Sequence, residues 1–334
     1  MSTFIIAEMS ANHNHNKQIA LDTIKAAKEA GADAVKIQTY TADTITLNCE
    51  NEYFQINQGT LWDGTTLYKL YQQAYTPWEW HQELFDYAKE LNIPIFSTPF
   101  DKTAVDFLEK LNNPIIKIAS FELVDIPLIE YAASKGRPMI MSTGIATLDE
   151  IQDAVNACRK AGNNDITLLK CTSSYPAPLS EANLMTIPDM AKRFDCKVGL
   201  SDHTTGDVGA CTAVALGASV IEKHFIIDRS IGGPDSAFSM NKEEFTQMVK
   251  RIRQTEECLG TVSYELSEKM KNNRKWARSL FACADIKKGE VFTEQNIRSV
   301  RPSDGCSPKY LPELLGKESD RDYKFGEPIV YKGV

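Results

Sequence analysis

Apolar residues recur along the chain in two alternating periods. Short runs rich in β-branched and aromatic residues occupy Phe4–Ser10, Ala34–Tyr40, Ile93–Phe100, Pro114–Ser120, Pro138–Gly144, Ile166–Ser173, Lys197–Thr204 and Ser219–Ile226. Between these eight runs, apolar positions return at helical spacing. In Ile19–Gly31, the residues Ile19, Ile24, Ala27 and Ala30 share a face and Gly31 marks the stop. Thr147 and Glu150 form a capping box for a helix closed by Gly162, and a third helix, Asn241–Gly260, follows the eighth run. Alternating strands and helices imply parallel pairing through right-handed crossovers. Eight such units in about 260 residues have the count and size of an α/β fold of the (β/α)8 TIM-barrel type. An open doubly wound sheet would show a Gly-rich turn after its first strand; here that turn reads SANHNHN, Ser10–Asn16, without glycine.

The connection between the second and third runs, residues 41–91, is long and holds Trp62, Trp78 and Trp80. At the C-terminal face of a barrel it would wall or cover a substrate; alternatively its aromatics pack extra helices onto the barrel. The barrel pattern spans residues 1–260, and the rhythm then changes. Residues 261–277 read as a polar, helical linker, and 278–334 as a small β-rich domain. So small a core is marginal alone, which points to docking on something, such as a partner subunit.

Composition narrows the chemistry. A chain of 334 residues can bury a core without disulfide or metal staples. Its 37 basic against 45 acidic residues give a net charge of −8, which argues against a general binder of nucleic acid or anionic membrane. An anionic substrate therefore needs local basic groups. No run reaches the ~18 apolar residues of a membrane span. The N-terminus has no basic region and carries Glu8, so no signal peptide is expected. The eight cysteines are scattered without a C-x-x-C pair and read as reduced thiols of a cytoplasmic protein.

Polar residues stand where barrel strands reach the active-site mouth: Glu8, Lys36, Gln38, Ser97, Thr98, Lys117, Ser120, Ser142, Thr143, Lys170, Ser173, Ser201, Asp202, His203, Glu222, Lys223 and His224. Period two puts Glu222 with His224, Lys36 with Gln38, and Ser201 with His203. Two of the five histidines, His203 and His224, end adjacent strands. Strands about 4.8 Å apart bring two such imidazoles within reach of one divalent cation, in an open, catalytic kind of site. The alternative is that each bonds a neighbouring strand. His13 and His15 form a weaker H-x-H pattern in a turn-prone loop, and His81 is expected to pack. Lys36 and Lys117 suit either an anion or the imine of a Schiff-base aldolase. The strand-end hydroxyls of Ser97, Thr98, Ser120, Ser142 and Thr143 serve a phosphate and have no purpose for an imine, which favours a phosphorylated anion.

In order, FIIAEMSANHN, AGADAVKIQTY, STPFD, IIKIASFE, MSTGIAT, KCTSSYPAP, VGLSDHT, ALGASVIEKHF and GGPDSAFSM resemble the sialic acid synthase family, the phosphoenolpyruvate-dependent synthases of nine-carbon keto acids. The tail DIKKGEVFTEQNIRSVRP resembles that family's C-terminal antifreeze-like (SAF) domain. The aromatic insert and GGPDSAFSM look like the pseudaminate branch. Ser173 stands where neuraminate synthases typically carry Asn, which argues against N-acetylmannosamine and fits a 2,4-diacetamido-2,4,6-trideoxy-L-altrose acceptor. Legionaminate and neuraminate synthases are the alternatives within the family.

The resemblance implies transfer from phosphoenolpyruvate with release of phosphate, for surface glycan or flagellin glycosylation. It implies Mn²⁺ or Mg²⁺ on His203 and His224, and Glu8 beside the reacting C2. It implies phosphoenolpyruvate contacts from Lys36, Thr98, Lys117, Ser120, Ser142 and Ser201, and sugar contacts from Ser173, Tyr175, Glu222, Asp235 and Arg301. Arg301 would come from the partner's SAF domain in a domain-swapped homodimer.

Overall fold

Eight parallel strands close into a barrel in the computed structural model, which describes residues 2–57, 59 and 62–330. Met1 of the expected barrel domain, Gln58, Thr60 and Leu61 of the insert, and 331–334 of the expected second domain lie outside the described residues. The strands are β1 (Phe4–Glu8), β2 (Ala34–Thr39), β3 (Ile95–Pro99), β4 (Ile116–Ile118), β5 (Met139–Ser142), β6 (Ile166–Cys171), β7 (Lys197–Asp202) and β8 (Val220–His224). Closure comes from β8 pairing with β1, Glu8 opposite His224 and Ile6 opposite Glu222.

The two-residue period decides what faces inward. Ile6, Ala34, Phe96, Ile140, Leu169 and Val220 form one buried apolar cluster, the barrel floor. Their strand neighbours Ile5, Val35, Ile95, Met139, Leu168 and Ile221 belong to a second cluster, with the surrounding helices. Two residues beyond each floor residue, the inward positions change to Glu8, Lys36, Thr98, Ser142, Cys171 and Glu222. An apolar plug thus sits directly beneath a polar layer.

That alternation corrects part of the strand-end list. Ser97 bonds the Ile37 carbonyl (3.1 Å) and Thr39 (2.6 Å) within the wall, and Thr143 bonds the Leu169 carbonyl (3.0 Å). Lys170 reaches the Cys171 carbonyl (2.8 Å), and Asp202 and Lys223 pair behind the sheet (2.7 Å). These side chains occupy positions one out of phase with the polar layer.

The helices follow their local signals. Thr147 and Glu150 cap Leu148–Lys160 reciprocally, and Asn241 with Glu244 caps Lys242–Leu259. Lys17–Glu29 is capped by Asn16 and followed by Gly31 at φ +90°. Residues 41–91 are shorter as an insertion than their length suggests, because His81–Glu90 is the barrel's own second helix. The added part holds the helices Ala42–Ile45 and Leu67–Ala74 with turns at Glu52–Phe54 and Trp78–Trp80. Trp78 packs, stacked 4.7 Å from Phe107, whereas Trp62 stands 5.9 Å from Tyr175 at the mouth. His81 packs as expected, 2.8 Å from the Thr39 hydroxyl and 3.2 Å from the Pro77 carbonyl. His13 is likewise buried against Thr76 (3.1 Å), and its Nδ1 accepts the His15 backbone N–H.

The chain divides at Gly260/Thr261, so the expected linker groups with the second unit and carries the helix Glu268–Asn273. That unit holds β9 (Ser279–Ala282) antiparallel to β10 (Ile297–Val300), over a small core that includes Leu280, Ile286, Phe292 and Tyr323. Among the described residues no helix is long and apolar enough to cross a membrane, and all eight cysteines are free.

Candidate active site

The polar layer above the floor gathers four charges. Lys36 forms an ion pair with Glu8 and lies 3.7 Å from Glu222; Lys117 lies 4.0 Å from the same Glu222 oxygen. Hydroxyls complete the ring: Thr98 is 3.3 Å from Lys36, Ser142 2.7 Å from Lys117, and Ser201 donates to Glu222 at 3.2 Å. All of these side chains are buried. They converge because each stands at the inward phase of its strand; Glu8 is level with Lys36 and Ser201 with Glu222, whereas Lys36 and Thr98, and Glu222 and Glu8, are staggered by two residues.

Burial and charge set the protonation of this ring. Burial raises the Glu8 carboxyl, Lys36 pulls it back and Glu222 adds to the rise, leaving it at about 7. Burial also raises Glu222, but Lys117, Lys36 and His203 outweigh it and hold this carboxyl below its usual range. Lys117 is lowered by its burial, whereas Glu222 and Glu8 more than offset the burial of Lys36 and raise it. Near neutrality the ring therefore holds the Lys36 ammonium and the lowered Lys117 against Glu222 and a half-protonated Glu8. Two lysines flanked by hydroxyl donors in a low-dielectric site suit an anion.

Above the ring, the rings of His203 and His224 are 5.4 Å apart, centroid to centroid. His203 Nδ1 is 3.0 Å from the Thr172 carbonyl, which can only accept, so this nitrogen carries the proton. His224 Nδ1 is buried without a hydrogen-bond partner, and so is Glu222 Oε2. Burial, aided by the charges of His203 and Lys36, holds the His224 imidazole well below its usual range, so it is neutral. Tyr175 packs 4.3 Å from His203, and Phe238 lies 5.0 Å from His224. Burial lowers the His203 imidazole, but Cys171 and the Thr172 carbonyl outweigh it and raise it above its usual range. Once His203 is deprotonated, its free nitrogen and that of His224 form a donor set for a divalent cation in an apolar-walled mouth. Among the described residues no three His, Cys, Asp or Glu side chains gather into a metal cage.

A third subsite lies between the ends of β4, β5 and β6. The Gly144 backbone N–H donates to Ser120 Oγ at 3.1 Å, and Cys171 Sγ stands 3.9 Å from Ser173 Oγ. A Cβ at Gly144 would meet Ser173 Oγ at 2.1 Å and Ser120 Oγ at 2.8 Å, so only glycine leaves this space open. Burial would raise the Cys171 thiol, but the His203 hydrogen bond and charge outweigh it and bring it to about 7.

The structure thus brings together Glu8, Lys36, Thr98, Lys117, Ser142, Ser201, Glu222, His203 and His224, with Ser120, Ser173 and Tyr175 beside them. Asp235 is tied to the site's edge: its Oδ2 accepts from Ser10 Oγ and, at 3.2 Å, from the Ala11 N–H. Ser10 in turn donates its backbone N–H to Glu8 Oε1 at 2.7 Å and takes Gln38 Nε2 at 3.1 Å. Arg301 belongs to the second unit and is exposed there. Reading the sequence missed Ser10, Gly144 and Phe238. Ser10 had a signal, since it follows Glu8 by one strand period; Gly144 and Phe238 lie in loops, where periodicity is silent.

A family model described as the NeuB family matches residues 23–264, and one described as the SAF domain matches 277–334. The chain is 49% identical to the pseudaminic acid synthase of Helicobacter pylori, over 97% of this chain and 96% of that protein. It is 38% identical to the N,N'-diacetyllegionaminic acid synthase of Campylobacter jejuni, over 98% of each. A crystal structure of N-acetylneuraminic acid (sialic acid) synthetase from Leptospira borgpetersenii superposes with a TM-score of 0.72 at 32% identity, covering 82% of this chain and 90% of that one.

Proposed function

We propose, for a chain that belongs to the NeuB family, the reaction of a pseudaminic acid synthase. Phosphoenolpyruvate condenses with 2,4-diacetamido-2,4,6-trideoxy-L-altrose and water, giving pseudaminic acid and phosphate. The observation that carries the chemistry is the buried ring of Lys36, Lys117, Thr98 and Ser142 directly beneath two imidazoles. The acceptor rests on the greater identity to the pseudaminic than to the legionaminic relative.

Phosphoenolpyruvate is held by Lys36 and Lys117 with Thr98, Ser120, Ser142 and Ser201. In water its charge would be solvated; here fixed donors replace that solvation without reorganising. The π-electrons of the enol form the bond from C3 to the aldehyde carbon, whose oxygen takes a proton, and C2 becomes oxocarbenium-like. Water adds to C2 and gives up a proton. The tetrahedral carbon then collapses to the ketone as its bond to the phosphate oxygen breaks and its hydroxyl proton passes to the departing phosphate. Glu8, with its carboxyl at about 7 and its second oxygen fixed by the Ser10 N–H, is placed to accept the proton of the water and to face positive charge at C2. Glu222, Ser173, Tyr175, Asp235 and Arg301 are assigned to the sugar.

His203 and His224 would hold Mn²⁺ or Mg²⁺, which when bound supplies Lewis-acid polarisation of the aldehyde oxygen. The neutral, unpartnered His224 nitrogen supports this assignment.

The partner in this reading is a second copy of the chain. Phe121, Val124, Ile145, Leu148, Leu179 and Met185 are all exposed on the segments that follow β4, β5 and β6. Such an apolar rim around a mouth is the surface a docked domain would cover. We assign that role to the partner's SAF domain in a domain-swapped homodimer, with Arg301 delivered to the sugar. Eight free thiols fit a reducing compartment, and we place the enzyme in the cytoplasm.

Phosphate release from phosphoenolpyruvate, measured against a panel of acetamido sugars, tests the function. Release is expected only with the bis-acetamido trideoxy sugar, and it should stop on EDTA treatment and return with Mn²⁺. Equal turnover of N-acetylmannosamine overturns the acceptor assignment.

A further inference from the structure

Behind the two imidazoles, on the opposite face of the sheet, lies a charge pair that the reaction does not touch. Strands β7 and β8 run in register, Ser201 opposite Glu222 and Asp202 opposite Lys223. With a period of two, the first pair faces inward and the second outward. His203 and His224 come next, inward again. Lys223 and Asp202 are 2% exposed each.

A buried ion pair rarely adds net stability, because desolvating two charges offsets their attraction. This one has every donor and acceptor engaged. The Lys223 ammonium donates to Asp202 Oδ2 at 2.7 Å, to the Thr204 carbonyl, and to the Gly206 carbonyl at 3.0 Å. That uses all three of its N–H groups. Asp202 Oδ1 accepts from the Thr204 N–H at 2.9 Å and from its hydroxyl at 2.7 Å. The residues on both sides of His203 are therefore tied to the residue that precedes His224. Helix Val208–Ala215 closes on this knot: a Cβ at Gly209 would meet Thr204 Oγ1 at 3.0 Å and Asp202 Oδ1 at 3.2 Å.

We propose that Lys223, through Asp202 and Thr204, is a positioning residue that fixes the separation of His203 and His224 and so sets the affinity of the site for its divalent cation. The inference rests on the assignment of a metal to those two histidines. A backbone free to shift between β7 and its helix would leave each imidazole intact but let their spacing wander. Binding would then pay to order the loop. The clamp pays that cost during folding, as the outer partners of metal ligands do elsewhere.

The test compares full-length wild type with the double variant Asp202→Asn/Lys223→Met, which keeps side-chain size while removing both charges. Mn²⁺ binding is followed by the paramagnetic resonance of free Mn²⁺, and the thermal midpoint is read on metal-free protein. The expected result is Mn²⁺ affinity weakened about tenfold or more. The metal-free midpoint should change little, and turnover should recover toward wild type as Mn²⁺ is raised. Thr204→Val, which loses only the hydroxyl bond to Asp202, should weaken Mn²⁺ binding in the same direction by a smaller factor, and it decides the matter if the double variant does not fold. Unchanged Mn²⁺ affinity in a folded variant overturns the clamp while leaving the metal site standing. Wild type that binds no Mn²⁺ overturns the metal assignment itself, and the clamp with it.

Discussion

The Gly144 backbone N–H points at the Ser120 hydroxyl from 3.1 Å, across a gap that a single methyl group would fill. The contacts such a methyl would make, at 2.1 Å from Ser173 Oγ, 2.8 Å from Ser120 Oγ and 3.0 Å from Cys171 Sγ, are with side-chain ends that can rotate, not with backbone. The fold can therefore absorb it, while the subsite cannot keep its shape. Gly144→Ala is expected to move the thermal midpoint by only a few degrees and to lower kcat/KM about a hundredfold, since misplacement of about 1 Å costs that much. Wild-type kcat/KM in this variant would show that the space is not used in turnover.

Lys117 distinguishes anion binding from imine chemistry. A lowered ammonium in a buried site is what a Schiff base needs, but this one donates to Ser142 and to the Ile118 carbonyl and faces Glu222. Borohydride treatment with pyruvate is expected to leave the protein mass unchanged. Lys117→Met should raise the KM for phosphoenolpyruvate tenfold or more, about 1.4 kcal/mol of lost binding. A reduced pyruvyl adduct at Lys117 or Lys36 would replace the proposed reaction with that of a Schiff-base aldolase.

Domain exchange has a signature in mixed oligomers. Glu8→Gln and Arg301→Ala are each expected to be nearly inactive alone. If Arg301 acts in the partner's barrel, unfolding and refolding the two together restores one intact site in each mixed dimer, about a quarter of wild-type activity for random pairing. A mixture no more active than its parts removes Arg301 from the partner's site.

His81 predicts how stability follows pH. Its imidazole is fully buried between Thr39 and the Pro77 carbonyl, and burial holds it down to about 4, against 6.5 for an exposed histidine. Between those values the unfolded chain binds the proton and the folded chain does not, so stability rises with pH. The contribution is complete above about 6.5 and is lost as pH falls through about 4, worth about 3 kcal/mol at most. Urea titrations at pH 7.5 and 5 should show a smaller pH-dependent loss in His81→Gln than in wild type. Equal losses would place the effect elsewhere, with the similarly lowered His13 the next group to test.

How much of this was legible beforehand varies with the kind of residue. Glu8, Lys36, Thr98, Ser142 and Glu222 could be read from the strands, because each follows a floor residue by two. The same rule separates Lys223 from Glu222 and His224, and the strand-end positions that do not reach the site, Ser97, Thr143, Lys170, Asp202 and Lys223, are those one out of phase. The insert was read too long because a barrel helix, His81–Glu90, carries the same aromatic density as the segment before it.

Local geometry is what a sequence controls directly: period two along a strand, helical spacing, caps at Thr147 and Asn241. Those were enough for eight strand–helix units and for which side chains share a face. The meeting of Glu8 with Lys36 and Glu222, the engagement of Asp235 with Ser10, and the knot of Lys223 on the Thr204 loop were decided by barrel closure and strand register. These contacts join residues distant in the chain, and their strength comes from the low dielectric and fixed donors that exist only once the apolar floor has closed beneath them.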